Sequence, residues 1–172
     1  KTLAKMCCST CRGLMTGVSI SVLDEQETAA LREFAFDLGY NESYVAMSNP
    51  CNWNMLRCNE DKRYDFMASY VSGNVRLTGK IGPSIGKLKH LRVFTVSNQR
   101  LSGTIPEEIG GCKRLEDLDL GNNTLSGRIP TSLGNLQRVT KMNLKLNRFD
   151  GQIPEALGKW QDIESFQIGG NQ

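Results

Sequence analysis

The chain has 172 residues and a formal net charge of +3. Its apolar fraction of 39% and charged fraction of 23% fit a globular domain or a short array of repeats rather than a disordered segment. So small a net charge gives no argument for nucleic acid or an anionic membrane, and no apolar run approaches the roughly 20 residues of a membrane helix. Six cysteines point to an oxidising compartment, the secretory pathway and extracellular space or another oxidising lumen.

Residues 1–23 form an extension without a recognisable pattern. "MCCSTC" holds Cys7, Cys8 and Cys11. Cys8 and Cys11 make a C-x-x-C, which suits a redox pair, half a zinc site or a local disulfide. No βαβ pattern and no second C-x-x-C accompany it, so no metal site is assigned. Lipidation of Cys7 and Cys8 is a further reading. The favoured one is a single local disulfide, with the third thiol free or paired elsewhere.

The next segment, Asp24 to Gly39, predicts a helix. Asp24 suits the N-cap, with Glu27 as its reciprocal partner. Leu31, Phe34, Ala35 and Leu38 fall at i, i+3, i+4 and i+7, which makes one apolar stripe. Gly39 suits the helix end. "NPCNWNMLRC" follows, with Cys51 and Cys58 around Trp53.

From residue 64 onward the chain repeats with a period of 24. Leu77, Leu101, Leu125 and Phe149 form one column. Gly79, Gly103, Gly127 and Gly151 form another, and Ile81, Ile105, Ile129 and Ile153 a third. Cys112 stands in a ladder column with Leu88 and Leu136, where it reads as a small buried hydrophobe. In "LEDLDLGNN" Leu118 and Leu120 alternate with Asp117 and Asp119, the period of a short strand with one buried face. Asn123 and Asn147 follow the strands, and a buried Asn there can satisfy backbone groups of the turn. Pro106, Pro130 and Pro154 stiffen the outer segment of each coil. No coil can bury its apolar side alone, so the coils must stack.

This pattern, L-x-x-L-x-L-x-x-N-x-L-S-G-x-I-P, resembles the plant-type leucine-rich repeat. The resemblance covers residues 64–172 and implies an α/β solenoid, a right-handed coil with a concave parallel β-sheet. It also implies that residues 24–63 are a helical N-terminal cap pinned by a Cys51–Cys58 disulfide. Gln99 stands where the turn Asn belongs, and Ser72–Leu77 carries one residue too many, so the first coil is irregular. The last coil is incomplete. Phe166 and Ile168 would be poorly covered there, which raises the expectation of a fragment, or of a partner or following segment over that end.

In such a fold, recognition falls to side chains that point outward from the concave strands. The strand phase nominates Arg92, Val93 and Thr95, then Glu116, Asp117 and Asp119. It continues with Thr140, Lys141, Asn143 and Lys145, then Glu164 and Gln167. An open polar sheet without a pocket suits a protein or peptide ligand. His90, Arg114 and Arg138 stack into a basic flank, read as solvated, which could also meet an acidic polysaccharide. Asn41 and Asn122 head N-x-S/T sequons. A lone His offers no catalytic triad. Asp117 and Asp119 share a face as a glycosidase pair might, but an open sheet is expected to give neither water exclusion nor a raised pKa. The reading is a noncatalytic recognition module without a cofactor. The alternatives are a structural subunit docked in a larger assembly and an inhibitor of a wall-degrading enzyme, resembling polygalacturonase-inhibiting proteins.

Overall fold

The computed structural model describes residues 25–41, 45, 50, 53, 55–58, 64–67 and 76–172, with Cys58, Tyr64, Phe66 and Met67 described by their backbone alone. Residues 1–23, Asp24, Cys51 and the Cys51–Cys58 pairing therefore lie outside the described residues, as does most of the irregular Ser72–Leu77 segment.

The helix α1 (Glu25–Asp37) buries Leu31, Phe34 and Ala35 of the apolar stripe together with Ala30, and Leu38, the last of the stripe, is buried just beyond its end. Gly39 follows at φ +93°, a left-handed turn that suits glycine. Strands β1 (Leu56–Cys58), β2 (Tyr64–Met67), β3 (Leu91–Thr95), β5 (Asp117–Asp119), β7 (Lys141–Asn143) and β9 (Ser165–Gln167) form one sheet in that order. The β1–β2 pair is antiparallel, and every later pair is parallel. This is the parallel sheet of a leucine-rich repeat solenoid.

One turn of coil buries one ladder. Leu91, Phe94 and Val96 line the first regular coil, Leu115, Leu118 and Leu120 the second, and Val139, Met142 and Leu144 the third. Each buried side chain contributes roughly 1.5–3 kcal/mol. The helix seals the ladder at one end, where the Phe34 and Phe94 rings meet edge-on at 5.2 Å. Gly79 makes that seal possible. A Cβ there would lie 1.9 Å from the Asp37 carbonyl oxygen.

Glu27 is 4% exposed and spans the same joint. Its Oε1 accepts from the His90 backbone N–H at 2.9 Å, and its Oε2 lies 2.5 Å from His90 Nδ1. His90 is thus a fastener between cap and coil. It does not stand in a solvated basic flank with Arg114 and Arg138.

Two features exceed the sequence reading. The proline-bearing outer segments are short 3₁₀ helices, Pro83–Lys87, Glu107–Gly111, Thr131–Asn135 and Glu155–Lys159. A second sheet joins β4 (Ser102–Gly103), β6 (Thr124–Arg128) and β8 (Arg148–Asp150) in parallel. Gly103 and Gly127 enter it at φ +80° and +76°, and Gly151 follows its last strand at +78°, a backbone that side chains with a Cβ resist.

The turn asparagines are the rungs between coils. Asn123 Oδ1 accepts from the Leu101 N–H, and its Nδ2 donates to Val96 O and Leu120 O. Asn147 repeats the set one coil on, with Leu125 N–H, Leu120 O and Leu144 O. Asn171 does so again with Phe149 N–H, Leu144 O and Ile168 O. Gln99 fills the odd position with a longer arm, its Oε1 accepting from the Leu77 N–H at 2.9 Å.

Candidate ligand-binding face

The outward side chains of the concave sheet stand in register. Val93, Asp117, Lys141 and Ser165 form one row, and Thr95, Asp119, Asn143 and Gln167 the next. Beside them run Arg92, Glu116, Thr140 and Glu164, the residues that precede each row. The backbone keeps that line in step, because Glu116 N–H donates to Arg92 O, Thr140 N–H to Glu116 O and Glu164 N–H to Thr140 O. Lys145 is exposed one coil edge away, its N–H held by Asn143 Oδ1. All of the sequence-nominated residues therefore lie on one continuous surface.

The electrostatics are arranged rather than random. Arg92 donates to Asp65 Oδ2 at 2.7 Å and to Glu116 Oε2 at 3.4 Å, bridging three coils. Burial works against the Arg92 charge, but Asp65 and then Glu116 outweigh it and raise its pKa. Asp119 accepts from Asn143 Nδ2 at 2.8 Å and from the Gly121 N–H at 2.9 Å, so its carboxylate is held in place.

Asp117 differs. Burial pushes its pKa up, Lys141 and Arg92 pull it down, and the neighbouring Asp119 and Asp65 push it up again, with a net rise. The expectation that an open sheet raises no carboxylate pKa thus fails at this residue. The partly covered floor of the sheet removes enough water to disfavour the charge.

Asp65 was not nominated from the sequence. It stands opposite Val93, 28 residues earlier, whereas the other rows step by 24. The irregular first coil hides it from a fixed-period alignment. Its partnership with Arg92 makes it part of the surface.

Cys112 is fully buried, donates to Ile85 O at 3.1 Å, and has a pKa pushed up to about 12 by that burial. It is the small hydrophobe its column predicts. Asn122 is exposed in a left-handed conformation, its Nδ2 donating to Asn98 Oδ1. Asn41 is also exposed, while the rest of its sequon lies outside the described residues. Among the described residues no group of three or more His, Cys, Asp or Glu side chains could hold a metal ion, and no helix is long and apolar enough to cross a membrane.

The Leucine Rich Repeat family model matches residues 90–112 and 114–136. The leucine-rich repeat protein 1 of Arabidopsis thaliana is 41% identical over 44 residues, which are 26% of this chain and 19% of that protein. The PEPR1–AtPEP1 crystal structure superposes with a TM-score of 0.74 at 28% identity, over 86% of this chain and 22% of that one. The ectodomain of the receptor kinase SOBIR1 from Arabidopsis thaliana gives 0.62 at 29% identity, over 87% and 94%. A plant ice-binding protein gives 0.71 at 28% identity, over 87% and 49%. The described residues thus fold as a leucine-rich repeat solenoid like that of a plant receptor-kinase ectodomain, and the chain spans less than a quarter of the length of the curated relative it matches.

Proposed function

We propose that this chain is a noncatalytic recognition module that binds a protein or peptide along its concave sheet, in an extracellular or secretory setting. The registered rows carry the reading. Identical coils present unlike side chains at the same outward positions, from Val93 through Asp117 and Lys141 to Ser165. A ligand lying across the coils would meet an ordered sequence of apolar, acidic and basic groups. Such a pattern discriminates among partners by placing like charge against the wrong ones. The structural likeness to the PEPR1–AtPEP1 structure, and to a receptor-kinase ectodomain, supports a binding role of this kind.

The test is affinity capture from an extract of the source tissue, run with the native chain and with a variant in which Glu116, Asp117, Asp119, Lys141 and Lys145 are replaced by serine. The native chain should retain a partner that the variant loses. Retention of every partner by the variant would move binding off the concave sheet.

A further inference from the structure

The second sheet carries a charge pattern of its own. Its four successive segments read "RLTGK" (Arg76–Lys80), "RLSGT" (Arg100–Thr104), "TLSGR" (Thr124–Arg128) and "RFDGQ" (Arg148–Gln152). The second residue of each is buried as Leu77, Leu101, Leu125 or Phe149. The side chains of Arg76, Lys80, Arg100, Arg128 and Arg148 are exposed. Against these five cations stands a single carboxylate, Asp150, which leaves +4 on a strip of 20 residues in a chain whose whole net charge is +3. None of the five makes an ion pair or side-chain hydrogen bond among the described residues. Asp150 stands opposite Arg128 in the strand register without pairing with it.

Two of the cations lie along the glycine column. The stem of Lys80 lies 3.4 Å from the point a Cβ on Gly103 would occupy, and that of Arg128 lies 3.4 Å from the same point on Gly151. Each stem thus crosses onto the neighbouring coil. Between the cations stand hydroxyls, with Lys80 opposite Ser102, Ser102 opposite Thr124 and Ser126 opposite Arg148. The four segments themselves expose no large apolar side chain, while Leu146 and Ile153 are exposed on either side of the last one. The strip therefore presents cations and hydroxyl groups on a flat ribbon, repeating at the spacing of neighbouring strands, about 4.8 Å.

We infer that this face binds a linear acidic polysaccharide of the uronate type. A chain of carboxylated pyranoses repeats on the scale of neighbouring strands, so its charges can meet successive cations, and its hydroxyls can exchange hydrogen bonds with the serines and threonines. A bilayer surface suits the strip less well, because the exposed Leu146 and Ile153 flank only its last segment and the other three segments offer no large apolar side chain to enter the acyl region. The site is separate from the concave sheet, so the two are tested independently.

The experiment is gel-retardation binding to polygalacturonate at low and high salt, with neutral dextran and phosphatidylserine vesicles as comparison probes. Three forms of the full chain are compared, and thermal denaturation confirms that each is folded. The first is native. The second carries Arg76→Ser, Lys80→Ser, Arg100→Ser, Arg128→Ser and Arg148→Ser. The third carries Lys89→Ser, Lys113→Ser, Arg114→Ser, Arg138→Ser and Lys159→Ser, the same loss of charge from outside both the strip and the concave sheet. The native chain should bind polygalacturonate in a salt-sensitive manner, the second form should bind about tenfold more weakly or worse, and the third should stay within about twofold. Equal loss in both variants would reduce the effect to net charge and overturn the inference. So would absence of polygalacturonate binding by the native chain, or stronger binding to the vesicles than to the polysaccharide.

Discussion

Asn123 reaches four backbone groups, accepting from the Leu101 N–H and donating to the carbonyls of Val96, Leu120 and Gly121. Asn123→Ala should therefore cost about 3 kcal/mol in chemical denaturation, since buried polar groups are left unpaired. Leu146 presents the opposite case. It stands in the left-handed column of Asn98 and Asn122, at φ +55°, with 52% of its surface exposed. Leu146→Asn should raise stability by about 1 kcal/mol, because Asn tolerates that conformation and leucine does not. Asp117 adds a pH signature. Its folded pKa lies above its ordinary value, so the ionised form opposes folding at neutral pH, and the penalty disappears below the ordinary carboxylate range. Asp117→Asn should be more stable than the native chain at pH 7, and the gap should close in acid denaturation titrations. At this scale the periodic residues were legible. Asn123 and Asn147 declared their role by recurring after each strand. Asp65 did not, since its place in the row depends on an irregular coil whose spacing no period describes.

Among elements, the joint between α1 and the first coil is the most sensitive. Gly79 N–H donates to Leu38 O, Lys80 N–H donates to Asp37 O, and no space remains between the two backbones. Gly79→Ala should force the helix end away and cost about 2–3 kcal/mol, measured as a lowered midpoint of unfolding with loss of Phe34–Phe94 contact by NMR. The concave strands were readable because Leu118 and Leu120 alternate cleanly with aspartates. The second sheet was not, because a left-handed glycine interrupts the alternation within "TLSGR". The 3₁₀ segments of five residues are too short to show a helical period. The Glu27–His90 fastener joins residues 63 apart, a pairing that only the docked helix creates. Sequence rules reach local periodicity and stop where one element meets another.

The whole molecule is one-dimensional in its energetics, since each coil touches only its neighbours. Burial is uneven along that axis. Ile105 is 3% exposed in its column and Ile153 is 53%, while Leu118 is fully buried and Phe166 is 36% exposed. In this 172-residue chain, amide hydrogen exchange should be slowest in β5 and β7 and fastest from Ile153 onward. Equal protection across all coils would show a single cooperative unit instead. The stacking also sets what change the architecture tolerates. Asn123 grips Leu101, and Asn147 grips Leu125, through the same bonds. The two faces of a coil are thus a plug and a socket of one standard gauge. A gene that gains or loses one 24-residue block would rejoin plug to socket, lengthening or shortening the recognition surface by one step. Variation in reach is therefore open to heredity by duplication alone, and the asparagine rungs are what make that possible.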